Sequence, residues 1–442
     1  MKITIRVSIT IRMEHHSSIQ HYLSSVKKRA FLPEGFTAAS TSIFFIPREM
    51  DGKTRFPMNI SLILCREPTE AFAGVFTKNA FPGAPVILGK SRMQERFLRG
   101  ILINNKVANV CAENGVQSAE NILAVLAQSA GGKKKEFLSA STGVIGWRLP
   151  EEEIKNCIPD LVLQTEKGKG SNSLFEVSKG IMTTDAYPKV REAAAGEGKI
   201  LGTAKGAGMI EPNMGTMLAF IVTDIAVPRN ELRNILSETV EKTFNCISID
   251  GDQSTSDMVI CMSSGKKKGI PAEVFRESLY KVCRELAEDV VRNGEGTGHV
   301  VKTVIKGAPD FISARELGKG VINSPLVKTA VFGNDPNVGR ILMAVGDIAG
   351  SKGIDFDPLR FSITLGEEKI FTRGCFALDS EKETRLGAYL KLCSLESKDK
   401  KYPVHNRTVD ITIDLGKPGT EAVVYGSDLS YDYVRVNADY RT

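Results

Sequence analysis

The sequence predicts a mixed α/β protein in which layered sheets are covered by helices. Short strand-like runs alternate along the chain with stretches whose apolar residues recur at helical spacing. Mixed helices and strands, with antiparallel strand pairs among them, suggest that layering. At 442 residues with 42% hydrophobic content, the chain has enough apolar material for two or three domain-sized units with a sizeable core. That composition excludes wholesale disorder, collagen and coiled coil.

The elements follow in order. MKITIRVSITIR alternates like a short strand, and EHHSSIQHYLSSVKKRA continues with helical character. Arg6 and Arg12 interrupt any signal-peptide core. The acid-poor opening has something of an organelle transit peptide, but an extended start with Met13 as the true initiator is the simpler reading, and residues 1–31 are expected to form a mobile extension. ISLILC (60–65) and PVILGK (85–90) read as strands, and ILINNKVANVCAENG as a strand leading into a Gly/Asn-rich turn. SAENILAVLAQSA (118–130) is predicted to be a helix starting at its Ser and ending before Gly131-Gly132. FLSASTGVIGW (137–147) reads as a buried strand opening into a Gly turn, and PEEEIKNCIPDLVLQT as an amphipathic helix.

TMLAFIVTDIAV (216–227) is predicted to be a strand beginning at its Thr, followed by a helix and a strand ending on Asp250-Gly251-Asp252. ESLYKVCRELAEDVVRNGEG (277–296) reads as a helix closed by Gly294. TVIKGA, FSITLG and the two C-terminal strands, with helices around VGRILMAVG and ETRLGAYLKLCSL, complete the pattern. GKGSNS (168–173) and GEG (196–198) are loops, and neither separates regions of different composition.

Charge and cysteine usage narrow the function. The 58 basic and 52 acidic residues leave +6 over a large surface, and Lys133-Lys134-Lys135 and Lys266-Lys267-Lys268 read as solvated loop charge, so no nucleic-acid partner is expected. The longest apolar runs fall far short of the roughly 20 residues that cross a bilayer, so no membrane partner is expected either. Eight cysteines without a C-x-x-C pair suit reduced thiols in a cytoplasmic protein. Only His299 and His405 lie in the body of the chain, which leaves a metal cluster or a His-dependent triad poorly supplied.

The chemistry is concentrated in AKGAGMIEPNMGTMLAFIVTD (204–224). Gly206, Gly208 and Gly215 remove side-chain bulk along a loop that leads into an apolar strand, with Thr216 at the junction. A Thr hydroxyl at such a junction can attack the preceding Gly carbonyl, giving an ester that water opens. The freed α-amine of Thr216, with a reference pKa near 8, then takes the hydroxyl proton, and no His is needed. A Gly-Thr pair is also an ordinary way to start a strand, so the residues alone leave both readings open.

The segment KGAGMIEPNMGTMLAFIVTD resembles the self-cleavage region of the ornithine acetyltransferase family, the bifunctional enzymes of arginine biosynthesis labelled ArgJ. Further matches follow in order: AGVFTKNAFPGAPV, SASTGVIG, MTTDAYPK, DGDQSTSDM, NGEGTGH, SPLVKTAVFGNDPNVGRILMAVG and YGSDLSYDYVRVNADYRT, spanning residues from about 32 to the last. The resemblance implies an αββα-type layered sandwich, of the kind shared with the related aminopeptidase DmpA, assembled from two chains after self-cleavage between Gly215 and Thr216. Residues 32–215 would form the α chain and 216–442 the β chain, in a heterotetramer of two of each.

The resemblance also implies roles. Thr216 would be the nucleophile, with Thr142 and Gly143 of STGVIG as the oxyanion hole, a reading that suits a hydroxyl beside a Gly turn with an exposed N–H. Thr183, Lys205, Thr216, Glu295, Asn437 and Thr442 match the substrate-binding positions, and Thr184 stands in for Thr183 if the register moves by one. The implied substrates are N-acetylornithine and glutamate, with acetyl-CoA as a further donor in bifunctional members and no cofactor. Lys205 suits an α-carboxylate and Glu295 the δ-ammonium of ornithine.

Two runs suggest other ligands and fail on their spacing. DGDQSTSDM begins like a calcium loop but lacks the later Gly and Glu, so a structural or site-bordering turn is expected and no metal. GEGTGH lacks the Lys-Ser/Thr of a phosphate loop and follows a helix. The chain also departs from the family. INNKVANVCAENG carries Lys106 and Val107 where small residues are usual, which predicts a reshaped loop beside the site. Two alternative functions are an N-terminal-nucleophile aminopeptidase or amidase, and an uncleaved binding protein of the same fold.

Overall fold

The computed structural model describes residues 14–50, 52, 54–167, 171–211, 217–395 and 402–439. Two sheets packed face to face form its centre. A four-stranded sheet runs in the order Phe36–Phe45, Phe56–Thr69, Leu98–Asn104, Phe137–Ser141, and a five-stranded sheet in the order Phe72–Phe76, Met258–Lys267, Leu218–Ile225, Gly198–Lys205, Lys189–Ala195.

The period-2 alternation of side chains decides what each sheet faces. From the strand Leu218–Ile225, Leu218, Phe220 and Val222 point at Ile63, Ile101 and Leu138 of the four-stranded sheet. Ala219 and Ile221 point the other way, at helices Arg229–Lys242 and Ala272–Arg292. The four-stranded sheet likewise turns Ile60, Leu62 and Leu102 outward onto helices Gly115–Ala130 and Glu151–Lys167. The layers are therefore helix, sheet, sheet, helix, the αββα sandwich. Because Leu218–Ile225 is buried on both faces, it reads as a continuous apolar run.

A third, seven-stranded sheet carries the C-terminal part, with Val409–Asp414, Val300–Ala308 and Thr420–Ser427 adjacent at its centre. Helices Phe311–Asn323 and Val338–Lys352 cover it through Leu317, Val321, Ile341 and Val345. The segments before and after 212–216 are interleaved. Leu218–Ile225 lies antiparallel to Gly198–Lys205 on one side and parallel to Met258–Lys267 on the other.

Several sequence expectations are corrected. PVILGK is not a strand but part of helix Ala84–Arg92, in which Pro85 occupies the first turn, where its missing N–H costs nothing. A short apolar run cannot by itself distinguish the two states. The helix expected at Ser118 begins at Gly115 after Asn114, a left-handed residue whose side chain makes no cap. The helix expected over 277–296 starts earlier, as Ala272–Arg292, with Asn293 its C-cap and Gly294 the residue after it. The Lys266 run is not a free loop: Lys267 ends a strand and pairs with Glu34.

The mobile extension expected over 1–31 is instead docked from Glu14 onward. Ser18 caps helix Ile19–Arg29, whose Tyr22 and Val26 enter the core between the sheets. The Tyr22 hydroxyl donates to Pro188 O at 2.7 Å, and Glu14 accepts from Arg191 at 2.9 Å. The apolar face of this helix is what holds it. The strand expected in 1–12, and Met13, lie outside the described residues.

Candidate functional site

The cavity of interest opens where the ends of both central sheets meet loops from four distant stretches. It holds about 210 Å³ and is lined by Thr142, Gly143, Thr183, Thr184, Lys205, Glu295 and Asn437 among others. Every site residue expected from the sequence that is described is thus brought to one place. Gly215, Thr216 and Thr442 lie outside the described residues. Met217, next in the chain, is buried, and its carbonyl accepts from Met258 N at 3.2 Å.

Thr142 and Gly143 follow directly on strand Phe137–Ser141. The Thr142 amide donates to Asn104 O at 3.1 Å and the Val144 amide to Lys106 O at 2.9 Å. Between them, the Gly143 amide has no hydrogen-bond partner among the described residues. Gly143 has φ +127°, and a Cβ there would lie 2.1 Å from the carbonyl carbon of Lys106, so the turn admits glycine alone. Asn104 supports it from below, accepting from Ser141 Oγ at 2.6 Å and donating to Val107 O at 2.8 Å.

The divergent loop does border the site. Val107 bridges to both Thr142 and Val144 and is fully buried, and Ala108 lines the cavity. Lys106 stands at φ +76°, a conformation that a small residue without a Cβ adopts freely, and its ammonium lies over the Phe56 ring, 5.4 Å from the centroid.

Lys205 ends strand Gly198–Lys205 and lies opposite Leu218 in the sheet, two residues beyond Thr216. Burial pushes its ammonium down from the ordinary lysine range, against the pull of Asp185, Asp257 and Glu295. Glu295 sits in the turn after helix Ala272–Arg292. Its amide donates to Ala207 O at 2.8 Å, and its carboxylate lies over Gly208, where a Cβ would approach Glu295 Oε2 to 2.4 Å. The same turn is fixed by Asp428, which accepts from Gly298 N at 2.8 Å and bonds His299 Nδ1 at 2.7 Å. Asn437, on helix Tyr431–Asp439, donates to Glu295 Oε2 at 3.0 Å.

Two buried carboxylates went unnoticed in the sequence. Asp185 accepts from Thr183 N at 3.0 Å, from Gly206 N at 2.8 Å and from Lys189 Nζ at 2.5 Å. Burial alone would raise its pKa, but Lys189, Lys205 and the Gly206 amide hold it at about 2. Asp257 is buried, its Oδ2 without a partner among the described residues, and burial pushes its carboxyl well above the ordinary range, against Lys205 and Ser254. The available signal was position: Asp185 lies inside MTTDAYPK and Asp257 inside DGDQSTSDM. The latter run is site-bordering, with Ser254, Thr255 and Ser256 lining the cavity.

A larger cavity of about 430 Å³ adjoins this one and shares Thr184, Glu295 and Val436 with it. Among the described residues no cluster of three or more His, Cys, Asp or Glu side chains is placed to hold a metal, and no helix is long and apolar enough to cross a membrane. The arrangement offers a backbone donor with no partner among the described residues beside a hydroxyl, and a cation and an anion lining one small cavity.

Comparison with known proteins gives the same direction. A model of the ArgJ family matches residues 49–442. Arginine biosynthesis bifunctional protein ArgJ 2 of Clostridium acetobutylicum is 35% identical over 410 residues, covering 92% of this chain and 98% of that protein. Glutamate N-acetyltransferase of Methanocaldococcus jannaschii is 38% identical over 395 residues, covering 86% of this chain and 93% of that protein. A crystal structure of Arginine biosynthesis bifunctional protein argJ from Bacillus halodurans matches at 32% identity with a TM-score of 0.44, over 51% of this chain and 100% of that one. With a family model running from residue 49 to residue 442 and relatives above 30% identity spanning nearly their whole length, the chain belongs to the ArgJ family.

Proposed function

We propose that this protein is a self-processing glutamate N-acetyltransferase that moves the acetyl group of N2-acetylornithine to glutamate, a step of arginine biosynthesis. The observation that carries the reading is the convergence of Thr142, Gly143, Thr183, Lys205, Glu295 and Asn437 on one cavity, in a chain of this family. Relatives named glutamate N-acetyltransferase support the transfer itself.

In the proposed processing step, the Thr216 hydroxyl attacks the Gly215 carbonyl, the Gly215–Thr216 amide passes to an ester, and water hydrolyses that ester to leave a new carboxylate and a free Thr216 amine. In the transfer, Thr216 Oγ attacks the acetyl carbonyl while the amine takes the hydroxyl proton. The Gly143 amide and Thr142 hydroxyl hold the oxyanion, an arrangement worth about 2.7–4 kcal/mol per donor in comparable sites. The amide C–N bond breaks, ornithine leaves with the proton, and the acetyl group stays on Thr216. The glutamate amine then attacks that ester, and Thr216 Oγ departs protonated. Lys205 would pair the α-carboxylate common to both substrates, Glu295 with Asn437 the δ-ammonium, and Thr183 and Thr442 the remaining polar groups. The cycle needs no cofactor.

The two chains, 32–215 and 216–442, would stay interlocked through the five-stranded sheet and assemble as a cytoplasmic heterotetramer. Acetyl-CoA as a second donor belongs to the same proposal. The test is N-terminal sequencing of the purified bands together with an exchange assay. The reading requires one band beginning at Thr216, acetylglutamate formed from acetylornithine, and an uncleaved, inactive Thr216→Ala protein. Release of free acetate in place of acetylglutamate would assign an amidase, and one intact inactive band a binding protein.

A further inference from the structure

The stretch 206–211 enters the segment in which the proposed processing reaction takes place, and it is held more tightly than a surface loop requires. The Met209 and Ile210 amides both donate to the Asp250 carboxylate, each at 2.7 Å, one to each oxygen. The Ile210 carbonyl accepts from Ile249 N at 2.7 Å, and the Glu211 amide donates to Asp252 O at 2.9 Å. Met209 stands at φ +58°, a left-handed conformation that costs a residue with a Cβ about 1–2 kcal/mol and persists only where its surroundings hold it. Two amides on one carboxylate supply that hold, since bonds to a carboxylate are roughly twice as strong as neutral ones.

Asp250 is itself braced. The Lys328 ammonium, buried, donates to the neighbouring Ile249 O at 2.7 Å and to Ser427 O at 2.6 Å. The Tyr433 hydroxyl reaches Asp250 Oδ2 at 3.3 Å from the C-terminal helix.

We infer that Asp250 is a positioning residue for self-cleavage: by fixing the Met209 and Ile210 amides it sets the path on which the chain enters 212–216. The inference rests on the processing reading above. Intramolecular attack depends steeply on approach geometry, and a displacement of about 1 Å can cost about 100-fold.

The test follows conversion of the full chain into two fragments after cell-free synthesis, sampled with time, for wild type, Asp250→Asn, Asp250→Ala, Asp250→Glu and Tyr433→Phe, with the melting temperature of each chain. Asp250→Asn and Asp250→Ala are expected to cleave about 10- to 100-fold more slowly than wild type at a nearly unchanged melting temperature. Asp250→Glu, which keeps two carboxylate oxygens, recovers most of the rate. Tyr433→Phe, which removes the hydroxyl bond to that carboxylate and leaves the Met209, Ile210 and Asp252 amides on it, cleaves at the wild-type rate. Cleavage of Asp250→Asn within twofold of wild type overturns the inference, as does slow cleavage that only accompanies a fall in melting temperature. A wild-type chain that never cleaves overturns the processing reading itself, a result distinct from both.

Discussion

The Asn437 side-chain amide donates to the Glu295 carboxylate at 3.0 Å, joining the last helix to the turn that borders the cavity from the other side. Glu295 is thereby fixed from three directions, by Asn437, by its own amide on Ala207 O, and by Gly208 beneath it. If Glu295 receives the ornithine ammonium, Asn437→Ala should raise KM for acetylornithine about tenfold while kcat changes little, since a hydrogen bond to a charged group is worth about 1.5–3 kcal/mol. Glu295→Gln should lose more, and initial-rate kinetics with each substrate varied separate the two.

Gly143→Ala should abolish transfer. A Cβ cannot occupy the 2.1 Å that separates its ideal position from the Lys106 carbonyl carbon, and φ +127° is strained for any other residue. The turn must move, and with it the amide proposed to hold the oxyanion. The expected outcome is a loss of about 100-fold or more in kcat, measured on protein whose circular dichroism is unchanged.

Asp185→Asn should destabilise the fold and change its response to acid. The folded carboxyl sits at about 2, below the value near 3.9 of an unfolded chain. Its contribution, about 2 kcal/mol, is therefore present above pH 4 and lost as the pH falls toward 2. The Asn variant strands the Lys189 ammonium, whose side chain is fully buried, at a cost of about 3–5 kcal/mol near neutrality. It should lose less stability than wild type between pH 4 and pH 2. Urea unfolding at pH 7, 4 and 3 measures both effects.

Tyr22→Ala should cost about 3 kcal/mol, because it removes a buried ring and its bond to Pro188. An N-terminal helix that contributed nothing to the core would leave the unfolding midpoint unchanged.

The layered α/β architecture was legible because helix Ala272–Arg292 carries a helical period and strand Leu218–Ile225 is a short apolar run rich in β-branched residues. Where the sequence misled, tertiary contacts made the choice. PVILGK could serve either state, and the location of Pro85 in a first turn decided it. Tyr22 and Val26 looked like part of a loose extension because nothing local reveals the sheets that receive them. In the site, Thr142, Gly143, Lys205 and Glu295 were legible through the motifs around them. Asp185, Asp250 and Asp257 were not, because an acidic residue in a turn carries no sign of the amides it will bind until the chain is folded. The one sign of Lys106 was a family departure, and its cost became visible only as φ +76°.

The central claim is that Thr216 carries the acetyl group. The direct measurement is the mass of the fragment beginning at Thr216 after brief incubation with acetylornithine and no glutamate, followed by peptide mapping. The account predicts a fragment one acetyl group heavier, with the addition on Thr216, that returns to its original mass when glutamate is added. An active enzyme whose Thr216 fragment never gains an acetyl group, or whose chain is still whole, would contradict it.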